Sequence, residues 1–153
     1  RFLTLTKGTG VINRIFHGYG KFEGEMDGRK NGALISMSTG KAVAFAIFNL
    51  QARGEMFVTH NDPVYEGMIV GLTPKPGDMI INVMKGKQLT NMRTQGTDEN
   101  VVLTPVRQMS IAEQLSMLNT DEALEITPKS LRLRKAILNP HDRKKSEKSG
   151  AAA

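Results

Sequence analysis

At 153 residues the chain can bury a core as one or two small domains. It has no cysteine, which excludes a disulfide framework and thiolate chemistry, and no apolar run near the roughly 20 residues of a membrane helix. The net charge of +6 is local: residues 1–128 carry 13 Lys and Arg against 13 Asp and Glu, whereas residues 129–153 carry 8 against 2.

A basic end of this kind suits a polyanion, most often nucleic acid or an anionic surface, and it suits a solubilising tail equally well. The chain opens on Arg1-Phe2-Leu3 with no initiator Met and no signal peptide, so it is expected to be a fragment of a longer protein. Phe2 to Thr6 alternates apolar residues with threonine, and Val11 to Phe16 resumes an apolar run after Gly8-Thr9-Gly10. These two segments predict a β-pair that belongs to a domain begun upstream. The Gly-Thr-Gly reads as a turn, because the Gly-x-x-x-x-Gly-Lys-Ser/Thr spacing of a phosphate loop is absent. Residues 17–32, with five glycines and mixed charges, read as a linker at a domain boundary.

Ala33 to Met37 and Ala42 to Ala46 flank Ser38-Thr39-Gly40-Lys41 and predict a hairpin. Ile47 to Arg53 predicts a turn or two of helix, with Gly54 as a left-handed stop. Extended structure returns at Glu55 to Val58, Asn61-Asp62-Pro63 makes a turn, and Met68 to Leu72 forms a strand closed by Pro74 and Pro76-Gly77. The nine methionines lie mostly among aliphatic residues and read as core filler.

Met79 to Met84 and Val101 to Leu103 read as strands holding a polar segment, Lys85 to Asp98, between them. Lys85, Lys87 and Arg93 precede its first acid, Gln88, Thr90 and Asn91 supply amides and a hydroxyl, and no aromatic occurs. Such a loop can bond phosphate, ribose or base edges. A solvated surface loop has the same composition.

Ser110 and Glu113 fit a capping box, and Ile111, Leu115 and Leu118 predict the apolar face of the helix that follows. Ala123 to Thr127 reads as a strand stopped by Pro128. The alternation at Leu131, Arg132, Leu133 and Arg134 favours a strand with a cationic outer face over a short helix. Asn139-Pro140 starts a final helix that is polar all round and needs docking or a partner. Ser149 to Ala153 carries no fold signal.

No catalytic constellation emerges. His17, His60 and His141 lack ligand spacing, Asp98-Glu99 and Asp121-Glu122 read as solvated turn residues, and no Gly-x-Ser-x-Gly occurs. The residues indicate binding rather than reaction, without metal or cofactor.

The chain nevertheless resembles the C-terminal part of the TypA/BipA family of bacterial translational GTPases, relatives of elongation factor G. The resemblance rests on Asn31 to Met37 with Thr39 to Ala42, on Phe48 to Gln51 with Arg53-Gly54, and on Val64 to Gly71. Lys85 to Arg93 with Gly96 to Glu99, and Thr127 to Lys135, extend it, with Phe2 to Thr4 and Gly8 to Gly10 at the start. It implies an α+β, mainly β fold. The end of a ferredoxin-like domain (residues 1–24) would precede a compact β-rich C-terminal domain with a few short helices (25–138) and a basic tail (139–153). GTP and Mg²⁺ would belong to an N-terminal domain outside this chain. The implied partner is the ribosome, through rRNA and the A-site tRNA, in the cytoplasm and away from membranes. Lys85, Lys87 and Arg93 would neutralise phosphate, while Gln88, Thr90 and Asn91 fix register. Arg132, Arg134, Lys135, Arg143, Lys144 and Lys145 would form a second basic contact. A module that binds a ribosomal or regulatory protein is the alternative.

Overall fold

The computed structural model describes residues 2–21, 29–86 and 102–150. In chain order the elements are α1 (Phe2–Leu5), β1 (Ala33–Ser36), β2 (Gly40–Lys41), α2 (Ala44–Gln51), β3 (Glu55–Met56) and β4 (Pro63–Val64). Then follow β5 (Ile69–Leu72), β6 (Met79–Ile81), α3 (Ile111–Met117), β7 (Glu122–Ile126), β8 (Leu131–Lys135) and α4 (Pro140–Gly150). This is a mainly β, α+β chain with short helices.

The apolar runs at Ala33-Leu34-Ile35 and Met68-Ile69-Val70 are continuous rather than alternating, the pattern of strands buried on both faces. Accordingly β1 and β5 lie at the middle of a four-stranded sheet ordered β3-β5-β1-β6. β1 pairs antiparallel with β5, with a bulge between Leu34 and Ile35, and parallel with β6. Successive side chains leave opposite faces. Leu34, Met68 and Val70 join Ile47 of α2 in one core, while Ala33, Ile35 and Ile69 join Leu133 of β8 in a second. Met56 and Met68 are core residues, and Met79, Met84 and Met109 pack against the two clusters. Met37 alone of these described methionines is half exposed, at 49%.

The expected hairpin at 33–46 does not form. Both edges of β1 are taken by β5 and β6, so Gly40 and Lys41 pair instead with Val64 and Pro63 of β4. Ala44 to Ala46, expected as strand, extend the predicted helix, as alanine's low helical cost allows. Its first turn has no side-chain cap from Val43. His60 substitutes from across the turn, its Nδ1 accepting the Ala44 amide at 3.2 Å. The Asn61-Asp62 turn behind it is as expected. Asn61 is left-handed at φ 71°, and Asp62 Oδ2 accepts from the Thr59 amide and hydroxyl at 2.6 and 2.9 Å.

Residues 2–16 also depart from the expected β-pair. Phe2–Leu5 is a helical turn, in which the Thr6 hydroxyl donates to the Phe2 carbonyl at 2.9 Å and Gly8, at φ 82°, closes onto the Leu3 carbonyl. Leucine tolerates helix well, and the local threonine bond decides between two weak preferences. Val11 to Tyr19 has no regular structure, and Ile15, Phe16 and Tyr19 are exposed. Val102 and Leu103 form no strand either. The linker expected over 17–32 is irregular at its start, but Arg29 at its end is anchored by Asn119 and Glu122.

Gly54 ends α2 for a different reason from the one expected. It is not left-handed; a Cβ there would run into the Leu72 carbonyl, where β3 approaches β5. Gly54→Ala is expected to lose about 2 kcal/mol through this overpacking, read by urea unfolding beside Gly86→Ala, whose Cβ would meet nothing within 4 Å. Equal losses in the two variants would show that the approach is not limiting.

Candidate nucleic-acid interface

The β7–β8 hairpin positions the basic residues near the end of the chain. Its register sets Glu122 opposite Lys135, Ala123 opposite Arg134, Leu124 opposite Leu133 and Glu125 opposite Arg132. Strand alternation puts Leu131, Leu133 and Lys135 on one face and Arg132 and Arg134 on the other. Leu133 enters the second core and Lys135 follows it inward, to 1% exposure.

The buried ammonium is fully engaged. Lys135 Nζ donates to Asp121 Oδ2 at 2.6 Å and Glu122 Oε1 at 3.0 Å, and pairs also with Asp78. Arg29 forks onto Glu122 at 2.8 and 3.2 Å and reaches the Met117 carbonyl at 3.2 Å. Asp78 Oδ1 accepts the Ala33 amide at 2.7 Å. Burial disfavours the charged form of Lys135, but its bonds to Asp121, Asp78 and Glu122 outweigh that and hold its pKa above the ordinary lysine value. Burial likewise opposes the Asp78 carboxylate; the Lys135 bond, the Ala33 amide and the two nearby cations win and hold its pKa below the ordinary range. An ammonium has three hydrogens, and here three carboxylates take them. Lys135 is therefore a structural cation, a correction to its placement in the basic contact.

The other expected contact residues are distributed as follows. Arg132 pairs with Glu125 at 3.5 Å, and Glu125 also accepts the Tyr65 hydroxyl at 2.5 Å. Burial and then that bond push the Tyr65 pKa up to about 12. Arg134 Nη1 donates to the Lys135 and Ala136 carbonyls at 3.2 and 3.5 Å. Asn139 caps α4 as expected, accepting the His141 amide at 2.8 Å, and Arg143 Nη1 ties the helix to the Ile137 and Leu138 carbonyls at 3.0 and 2.7 Å. Lys144 and Lys145 are exposed on that helix, and Lys85 is exposed at the start of the polar loop. Lys87, Gln88, Thr90, Asn91 and Arg93 lie outside the described residues.

A cleft of about 820 Å³ opens between residues 106–114 and 126–133, and sequence reasoning missed it. Ser110 and Glu113 form the expected capping box, with Glu113 Oε2 accepting the Ser110 amide at 2.9 Å. Of the apolar face expected for α3, Leu118 packs against the second core, but the other two residues do not. Ile111 and Leu115 are 48% and 53% exposed, and Gln114 is buried among them. Its Nε2 donates to the Met109 carbonyl at 3.3 Å, while its Oε1 is buried without a hydrogen-bond partner.

Among the described residues, no helix is long and apolar enough to cross a membrane, and no group of His, Asp and Glu is placed to hold a metal ion. Fold and charge together define a small α+β module that presents cations on a hairpin and a terminal helix. The chain belongs to the TypA/BipA C-terminal domain family, whose model matches residues 31–140. It is 49% identical over 148 residues to the large ribosomal subunit assembly factor BipA of Buchnera aphidicola subsp. Schizaphis graminum, covering 96% of this chain and 24% of that protein. Proteins of the same name from Salmonella typhimurium and Escherichia coli strain K12 are each 45% identical, over 96% and 97% of the chain and 24% of each relative. The chain spans about a quarter of the length of the curated relatives it matches.

Lys135→Met leaves Asp78, Asp121 and Glu122 without their shared cation, with Arg29 remaining on Glu122 alone, and is expected to cost about 3 kcal/mol in urea unfolding. A loss below about 1 kcal/mol would show the cluster to be weak. The pH dependence has two limbs. The lowered Asp78 pKa contributes stability that is complete above its unfolded value of 3.8 and disappears as pH falls through the lower folded value. The raised Lys135 pKa contributes stability present below 10.5 and lost as pH rises through the higher folded value. Unfolding free energy followed against pH should fall at both ends, and the Lys135→Met variant should show a shallower alkaline limb, the remainder coming from the raised Tyr65 pKa.

Proposed function

We propose that this chain is the RNA-contacting C-terminal module of a ribosome-associated translational GTPase, acting in large-subunit assembly and stress adaptation. The observation that carries the reading is family membership joined to a charge excess confined to residues 129–153. The relatives' printed name, large ribosomal subunit assembly factor, supports the ribosome as partner in the cytoplasm. In this reading residues 1–24 end a ferredoxin-like domain, 25–138 form the module and 139–153 the basic tail. GTP and Mg²⁺ bind an upstream P-loop domain, and this chain's sequence contains no Gly-x-x-x-x-Gly-Lys-Ser/Thr of its own.

Two cationic elements make the contact. The loop contributes Lys85, Lys87 and Arg93 to phosphates, with Gln88, Thr90 and Asn91 setting register against rRNA or the tRNA acceptor end. The second element is the hairpin and α4, through Arg132, Arg134, Arg143, Lys144 and Lys145. The exposed Ile111 and Leu115 of α3 favour a second reading, a protein-binding module, in which the charges serve solubility. Nuclease treatment of the captured complex separates the two, because a protein interface survives loss of RNA.

Sedimentation of the chain with ribosomes and with separated subunits tests the first reading. With about six phosphates neutralised, affinity should fall roughly a thousandfold between 50 and 200 mM salt. Replacing Lys87 and Arg93 by alanine should reduce the salt slope by about two without changing unfolding. Salt-insensitive association would overturn the RNA reading, and an unchanged slope in the variant would remove the loop from the contact.

A further inference from the structure

The cleft beside α3 has features that the charge argument does not use. Val106, Ile111, Ile126 and Leu131 make its wall apolar, and Ile111 and Ile126 stay 48% and 65% exposed. Three cations stand on the lining. Arg107 is held by Glu113 at 3.1 Å and Arg132 by Glu125 at 3.5 Å, while Lys129 lies in the four-residue connection at the tip of the β7–β8 hairpin. That tip is rigid, because the Thr127 amide and hydroxyl donate to the Ser130 carbonyl at 3.0 and 2.8 Å, and the Ser130 amide donates to Thr127 Oγ1 at 3.0 Å. Asp62, the carboxylate on the wall, accepts from Thr59.

Gln114 is the second, independent observation. It lines the cleft at 8% exposure with Oε1 unpartnered. Exchanging its amide oxygen and nitrogen does not repair this, since an oxygen would then face the Met109 carbonyl. A buried acceptor without a donor is unfavourable to the fold until one is supplied. A ligand that completed the site would bring an N–H to Gln114, a flat apolar body to the wall and an anion to Arg107 and Lys129.

We propose that this cleft takes one unpaired nucleotide of single-stranded RNA, its base against the apolar wall with an amino or imino N–H on Gln114 Oε1, and its flanking phosphates on Arg107 and Lys129. Recognition of splayed bases by their hydrogen-bonding edges and flat faces is the usual mode of single-stranded RNA binding. The cleft volume lies within the range of small-ligand sites, which a single nucleotide suits. This rests on the RNA-module reading and adds a base-reading site to its phosphate contacts.

The test is fluorescence anisotropy of the full chain with labelled single-stranded RNA hexamers of each base, at two salt concentrations. Gln114→Leu keeps the side-chain volume while removing the acceptor, and should fold normally because loss of the 3.3 Å bond to the Met109 carbonyl is offset by removal of the unpaired buried oxygen. Lys129→Ala lies at an exposed tip. Each variant is expected to weaken hexamer binding about tenfold, Gln114→Leu equally at both salts and Lys129→Ala chiefly at low salt. Base preference among the hexamers should disappear in Gln114→Leu. Hexamer affinity unchanged in both variants, or no base preference in the unaltered chain, overturns the cleft assignment. Ribosome sedimentation that survives either result leaves the module reading standing, whereas an unaltered chain that fails to sediment removes that reading separately. Displacement of bound hexamer by an uncharged apolar peptide, with no effect of Lys129→Ala, would assign the cleft to protein and overturn the nucleotide proposal.

Discussion

A lysine ammonium buried to 1% exposure can exist only if carboxylates come to it, and that requirement organises the region around β8. The three that meet Lys135 arrive from separate places: Asp78 from the start of β6, Asp121 and Glu122 from the start of β7. Asp78 also holds the Ala33 amide at the entry of β1, and Glu122 holds Arg29. One charged centre thus fixes the hairpin, the central strand and the segment that leads into it. A hydrophobic residue could fill the same volume, but it would not select these carboxylates over other partners. The cluster therefore specifies how the hairpin meets the sheet as well as stabilising it.

The same alternation that buries Lys135 turns Arg132 and Arg134 outward, so one strand serves both purposes. Its inner residues complete the second core with Leu133. Its outer residues are held in place by a carboxylate and by carbonyls, which limits the side-chain entropy lost when they meet a ligand. Charge held in this way differs from the charge on Lys85, Lys144 and Lys145, which are exposed. The first kind sets orientation; the second supplies long-range attraction that salt screens.

Much of this was readable in the residues where the cause is local. The capping box at Ser110 and Glu113, the Asn139 cap with Pro140, the Asn61-Asp62 turn and the β7–β8 strands each follow from side chains a few positions apart. The failures are non-local. Ala42 to Ala46 reads as a strand until β1 is seen to have both edges filled by segments more than thirty residues away. Arg29 sits in a glycine-rich stretch with nothing nearby to mark its partner 93 residues on. Lys135 was legible in principle, because Leu131, Leu133 and Lys135 share the period-two face, and a lysine on an apolar face implies a waiting carboxylate. Ile111 and Leu115 show the converse. Their helical spacing was read correctly, but spacing gives a face and not what covers it.

That asymmetry bears on where function sits in this chain. Strong local patterns and the two cores account for the central sheet, α2 and the hairpin, and among the described residues no buried side-chain polar atom of those elements is without a partner. One departure from pattern lies at the cleft, where α3 turns Ile111 and Leu115 outward and a glutamine inward beside the hairpin tip. Natural sequences break such rules chiefly at functional or strained sites. A buried amide oxygen without a partner is a liability to folding. The structure instead keeps the acceptor, the exposed aliphatic wall and the rigid basic tip together, an arrangement whose cost is offset only when something with a donor, a flat face and a negative charge fills it.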